Sequence, residues 1–237
     1  MIAERDLQGH WRRDWLRAEG HCDATTRVHW LQAGARYADI RIPADRPALA
    51  GTALADQTAA VLRALMRAEA FAGMTAVSGG VCTWHRAVNW HGRPDGADAG
   101  RLSFEGGALI ERGVHAAYAE RWLREDGGFD ACEVAVAGFT GVFVTNDAWF
   151  LLVTGRAGAP PSGALIQELD EGRVPDDLSA HFAPPCLFGL WRGSEGVVSL
   201  STNPFHEGAA LLRRGGDGVT LRAVDFDGRA VAARLKF

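Results

Sequence analysis

The sequence predicts a mainly β protein built as two tandem antiparallel β-barrels, with a helix inserted in the first. Three observations lead there. Short apolar or alternating runs recur along the chain, each cut after about 5 to 9 residues by Gly, Asp, Asn or Pro, the spacing of hairpin-linked strands. One segment departs from that rhythm for a helical period. The pattern of the first half then returns in the second.

The hairpins come in order. Thr26 to Leu31 and Arg36 to Ile42 flank the turn Gln32-Ala33-Gly34-Ala35, and Pro43, which has no N–H for a ladder, ends the second strand. Met74 to Val77 and Val81 to Val88 flank Ser78-Gly79-Gly80. Arg101 to Glu105 and Ala108 to Arg112 flank Gly106-Gly107, and His115 to Arg124 continues as a further strand. Gly141 to Thr145 and Ala148 to Gly155 flank Asn146-Asp147. Cys186 to Arg192, Val197 to Thr202, Gly208 to Arg213, Val219 to Val224 and Arg229 to Phe237 complete the second half, the last pair across the hairpin dipeptide Asp227-Gly228.

The exception is Thr52 to Ala72, where Leu54, Val61, Leu62, Leu65, Met66 and Ala72 recur near helical period between a capping Thr52 and a terminal Gly73. A weaker helical patch, Ala164 to Glu171 with a turn at Asp176 to His181, holds the corresponding place in the second half. The implied repeat is a hairpin (Val28 to Pro43, then Val142 to Pro160), a helical insert, and a strand bearing Trp84-His85-Arg86 or Trp191-Arg192. The polar, glycine-containing stretch Glu125-Asp126-Gly127-Gly128 divides the chain into units 1–127 and 128–237.

Bulk composition narrows the function classes. A hydrophobic content of 47% with mean hydropathy −0.07 can fill a core, so disorder is not expected. A net charge of −4 with no cluster of basic residues argues against nucleic acid as a partner. Lys236 is the only lysine, as in the product of a GC-rich genome, which leaves Schiff-base chemistry a single C-terminal candidate. The polar start Met1-Ile2-Ala3-Glu4-Arg5-Asp6 has no apolar stretch behind it, and the most apolar run, Ala148 to Val153, is far too short to span a bilayer. A cytoplasmic protein without a membrane partner is therefore expected, and its oligomeric state is open. Cys22, Cys82, Cys132 and Cys186 form no C-x-x-C pair and are expected as free thiols.

No P-loop, G-x-G-x-x-G or G-x-S-x-G motif is present, so no cofactor is expected. The eight histidines show neither H-x-H nor H-E-x-x-H spacing. A metal site would have to gather His29, His85 and His115 from separate strands, and none is expected.

Three clusters could carry chemistry. Tyr37, Asp39 and Arg41 share one strand face, and Ala38, Ile40 and Ile42 the other. Because small barrels are usually filled with apolar side chains, the favoured arrangement puts the isoleucines inside and leaves Asp39 and Arg41 as an exposed pair; the alternative turns them toward a ligand. Cys82, Trp84 and Arg86 share another face. There Trp84 over Arg86 could clamp a ligand, though a Trp that plugs the barrel end beside an Arg bonded to a carbonyl is preferred. Tyr118, Glu120 and Trp122 alternate on a third face, with Glu111 and His115 on a neighbouring strand. A carboxylate beside a His is a minimal acid–base pair, but plain cross-strand contact is the commoner role.

Thr83-Trp84, Glu111-x-Gly113, Glu120-x-Trp122, and Asp147 before an apolar strand ending Gly155-Arg156 together resemble a small fungal family of two-barrel, lipocalin-like (calycin-like) proteins with no established activity. The similarity covers roughly residues 80 to 160, and it implies a fold rather than a reaction. Three functions follow as expectations. The first is a small, partly apolar or aromatic molecule bound in a barrel mouth lined by Trp84, Arg86, Tyr118 and Trp122. The second is an isomerase or lyase using Tyr37, Asp39, Arg41, Glu111 or Glu120 as acid–base groups. The third is an assembly protein without a pocket, using strand edges or the Leu54 to Phe71 helix as its contact surface.

Overall fold

A computed structural model describes residues 2–93, 96–156, 158–216 and 218–235. Strand makes up 53% of the chain and helix 13%, so the mainly β class holds. The first sheet runs β1 (Gly9–Ala18), β2 (His21–Asp23), β3 (Arg27–Ala33), β4 (Arg36–Ile42), β5 (Glu69–Ser78), β6 (Val81–Asn89), β7 (Asp98–Glu105), β8 (Ala108–Gly113) and β9 (Tyr118–Asp126). Every neighbouring pair is antiparallel, and β1 also pairs with β9. Eight strands thereby close into a barrel, with β2 a short extension on β1.

The second sheet takes β10 (Asp130–Val136), β11 (Phe139–Thr145), β12 (Trp149–Gly155), β13 (Cys186–Arg192), β14 (Glu195–Ser201), β15 (Ala210–Gly215), β16 (Gly218–Val224) and β17 (Ala230–Arg234) in chain order. This second barrel is nearly closed. The last strand expected from the sequence runs on to Phe237, but residues 236 and 237, Lys236 included, lie outside the described residues, as does Met1.

The hairpin turns form where the glycines require them. At Gly79-Gly80 both residues hold positive φ, 59° and 78°, as do Gly106-Gly107 at 57° and 82°, the geometry in which a two-residue turn matches strand twist. Three strands were not legible in the sequence: β1, β2 and β10.

The long helix expected over 52–72 is replaced by a 3-10 turn, Leu54–Asp56, and a seven-residue helix α1 (Ala59–Leu65), capped by Thr58 rather than Thr52. Residues 69 to 78 are strand. Their alanines suggest a helix, but Ala70 and Ala72 pair with Ile40 and Ala38 of β4, where small side chains let the second barrel approach. Tertiary packing overrides local propensity there. Gly73 ends no helix. It stands at a register shift against β6, where a Cβ would run into the His85 carbonyl.

In the second barrel α2 (Gly163–Asp170) and α3 (Leu178–Phe182) fall where the helical patch was expected. The repeat is real in outline: each barrel carries its helical insert after its third strand. It fails at the tryptophans, since Trp84 lies two strands beyond the first insert, on β6, and Trp191 one strand beyond the second, on β13.

The largest apolar core lies between the barrels, not inside either. Ile40 and Ile42 of β4 pack there with Val142 and Val144 of β11 and Leu151 and Val153 of β12, while Leu62 and Leu65 of α1 and Phe182 of α3 cap the seam. The apolar side chains Leu54, Leu62, Leu65 and Met66 of the Leu54 to Phe71 segment are consequently buried in the seam, so they present no exposed apolar stripe as a contact surface. Inside the second barrel Phe143, Phe150, Leu152, Leu187, Trp191, Val198 and Leu212 fill the interior. β11 and β12 are thus buried on both faces, which is why their sequences read as unbroken apolar runs rather than alternation.

Candidate functional site

The first barrel is plugged at one end and open at the other. The N-terminal 3-10 turn Glu4–Leu7 seats Leu7 beneath Trp11, whose indole N–H donates to the Leu7 carbonyl at 2.7 Å. Above it Trp30 donates to Gln32 at 3.0 Å, and Gln32 to Thr75 at 2.7 Å, so the buried indole and amide of the floor are satisfied. Toward the other end the interior opens into a cup of about 230 Å³, walled by Trp30, Trp84, Trp122 and Phe71 and lined by Asp39, Arg41, Arg86, Asp98, Glu111, Tyr118 and Glu120.

Asp39 and Arg41 therefore face inward, against the arrangement the sequence favoured. Ile40 and Ile42 do not need the barrel interior because the second barrel buries them from outside. That leaves the inner face of β4 free to be polar. Tyr37, one step deeper on the same face, is fully buried against Phe71 and lies below the cup rather than in its wall. Burial pushes its phenol well above the ordinary range.

Arg86 also departs from expectation. It neither stacks on Trp84 nor bonds a carbonyl: its guanidinium lies 3.6 Å over the Phe71 ring and grips Asp98 through two nitrogens at 3.2 and 2.6 Å. Trp84 stands edge-on to Trp30 at 5.8 Å, so it packs and lines the cup at once.

Charges organise the cup in three groups. Arg41 binds Asp39 at 2.9 Å and reaches Glu120 at 3.4 Å. Behind Glu120, buried Arg13 of β1 joins it at 2.7 Å to Asp23 of β2 at 2.6 Å. Burial raises the Asp23 carboxyl, but N–H bonds from Thr26 and Thr25 and the charge of Arg13 outweigh it and hold the group well below the carboxylate range. Burial pushes Asp39 up to about 6 despite Arg41.

Glu111 is different. It lies directly opposite Glu120 across β8 and β9, and its partners are neutral: the Tyr118 hydroxyl donates to one carboxylate oxygen at 2.7 Å and the Trp122 indole to the other at 3.2 Å. Burial, with Glu120 adding to it, pushes its pKa up to about 8. Two glycines make room for this pair. A Cβ on Gly100 would sit 2.5 Å from the Glu111 side chain, and one on Gly113 would overlap the Tyr118 ring. The spacing Glu111-x-Gly113 and Glu120-x-Trp122 is thus a set of instructions for one wall of the cup.

Nine residues were singled out as ligand-binding candidates; eight line the cup and Tyr37 underlies it. The sequence alone did not point to Leu16, Trp30, Phe71 and Asp98 of the lining, nor to Arg13 and Asp23 behind it. His115 is exposed in the turn between β8 and β9, away from any acid–base role with Glu111. His29, His85 and His115 do not gather: His85 is exposed, and His29 bonds His10 at 2.7 Å in the seam between the barrels, stacked 4.0 Å from Phe188. Among the described residues no group of three or more His, Cys, Asp or Glu is placed to hold a metal ion. No helix among them is long and apolar enough to cross a membrane.

Two barrels, one closed and one nearly so, with the first plugged at its N-terminal turn, fit a lipocalin-like fold. Comparison with protein-family models, curated proteins and solved structures finds no match, so what is established is the lipocalin-like two-barrel fold and no particular family.

Proposed function

We propose that the chain binds a small, partly aromatic molecule in the cup of its first barrel. One observation carries this reading: side chains from eight strands, nearly all of them polar or aromatic, converge on one open cavity, while the sister barrel of the same architecture is filled with apolar side chains. Burying ionisable groups is costly to fold, and the cup keeps six carboxyl or guanidinium side chains where aliphatic ones would pack with less strain on stability. Such expense is the mark of a site.

The test is a ligand screen read by tryptophan fluorescence and melting temperature, since three cup walls are indoles. Leu16, half-buried in the cup lining, provides the control: Leu16→Trp should block entry and abolish every shift seen with the wild type. A library whose members shift both proteins equally, or neither, removes the proposal.

A second reading, acid–base catalysis on the bound molecule, is favoured by one feature: a proton-holding Glu111 beside Tyr118 and across from Glu120. Turnover of a bound ligand that Glu120→Gln lowers at least about 100-fold without weakening binding would support it; binding without turnover leaves the first reading alone.

A further inference from the structure

We propose that the ligand of the cup is a small organic cation, an ammonium group on a compact apolar or aromatic body, seated with its charge against Glu111 and Glu120. The inference deepens the small-molecule reading and rests on it. Three observations converge. The cup is lined by four carboxylates, Asp39, Asp98, Glu111 and Glu120, against two guanidinium groups, Arg41 and Arg86. Counting Arg13 and Asp23 behind them leaves the same excess of two carboxylates, which is two negative charges when Glu111 is ionised and one while it holds a proton.

The excess is not spread evenly. Asp39, Asp98, Asp23 and Glu120 each hold an arginine, whereas Glu111, only 4% exposed, makes no ion pair among the described residues. A buried carboxylate opposite another carboxylate needs either a proton or a cation. The walls supply the rest: indole faces attract alkylammonium ions, and Trp122 sits beside the uncompensated carboxylate. An anionic ligand would meet the opposite field.

The ligand then replaces a proton. In the empty cup Glu111 carries the proton; on binding, the ammonium keeps its own hydrogens and the Glu111 proton leaves to solvent. The groups facing Glu111 are Glu120, Tyr118 and Trp122 of β9, Asp98 of β7, Cys82 of β6 and Arg41 of β4. Glu120 and Asp98 oppose its ionisation, Arg41 favours it, and the cation tips the balance.

The experiment is isothermal titration of the full chain with a panel of propyl, benzyl, 2-phenylethyl and 2-(indol-3-yl)ethyl skeletons, each as ammonium, alcohol and carboxylate. The best ammonium should bind at least about tenfold tighter than its alcohol, and its affinity should rise about tenfold per pH unit from pH 6 toward 8 and then level off. Binding heats in phosphate and Tris buffers should differ by one released proton. Glu111→Gln should bring the ammonium down to the level of the alcohol and flatten the pH response while keeping the melting transition.

Equal affinity for alcohol or carboxylate, or a wild-type affinity flat between pH 6 and 8, overturns the cation and leaves the small-molecule cup standing. Silence of all twelve compounds overturns the cation as well. If the broader screen is silent too, the cup reading falls with it.

Discussion

The two barrels share eight antiparallel strands and an insert after the third, yet their interiors differ. In the second, inward positions such as Phe143, Phe150, Leu152 and Leu187 fill the space. In the first, inward positions of the open half are Asp39, Arg41, Arg86, Glu111 and Glu120. One architecture thus tolerates either filling. The first barrel can do so because its floor is packed around Trp11, Trp30 and Leu109, and because β4, β5 and the seam supply apolar burial from outside. Stability and the site are handled by different faces of the same strands.

The strongest way to break this comparison is to remove one keystone from each interior. Arg13→Ala leaves buried Glu120 and half-buried Asp23 without their shared cation, an expected loss of about 3 to 5 kcal/mol in urea unfolding. Phe150→Ala, packed on Trp191, should cost a similar amount, about 3 to 5 kcal/mol, through an empty cavity. Rescue separates the two. Adding Glu120→Gln should recover much of the Arg13→Ala loss, since it removes the stranded charge, and no polar change should rescue Phe150→Ala. An Arg13→Ala chain as stable as a surface variant would mean that the ion network does not hold the mouth of the barrel.

Much of this was legible in the sequence, and the gaps have physical causes. The glycine-bounded hairpins from Val28 to Arg124 showed the meander, and two-residue alternation put Tyr118, Glu120 and Trp122 on one face as the structure does. Strand β1 was not legible because it carries Arg12, Arg13, Asp14 and Arg17 in ten residues and is bulged between Arg13 and Trp15, which breaks its alternation. With β1 went Arg13. Asp98 was hidden at the first position of β7, just after a Gly- and Pro-containing stretch of sequence. The inward turn of Asp39 was undecidable locally: two faces of β4 are buried, and only the second barrel explains why the apolar one points out.

A smaller effect sharpens the role of the cup glycines. Gly100→Ala should cost about 1 to 3 kcal/mol, because its Cβ collides with the Glu111 side chain on the packed inner wall. The same change at Gly216 of the second barrel meets open space and should stay within about 0.5 kcal/mol. Thermal melts of both variants check the contrast, and ligand affinity should fall only for Gly100→Ala. Equal costs would mean that Gly100 serves the strand rather than the site.

The smallest expected effect is the most diagnostic, since it lies in a slope. The folded chain keeps a proton on Glu111 up to about pH 8, whereas an unfolded chain releases it near the ordinary carboxylate value. Folding therefore opposes ionisation. The destabilisation from Glu111 is absent at low pH, grows as pH rises between the unfolded and folded values, and is constant above pH 8. Glu111→Gln removes that dependence, at the cost of an imperfect match to Tyr118 and Trp122, so near pH 7 the two proteins should differ by only about 1 kcal/mol. Their gap should nonetheless move steadily in favour of the glutamine variant from about pH 5 to 8. A Phe143→Leu variant in the apolar barrel should show a gap from the wild type that pH leaves unchanged. Parallel curves for Glu111→Gln would show that Glu111 is ionised in the folded chain, and the contrast between a charged and an uncharged interior would then rest on Arg13 and Glu120 alone.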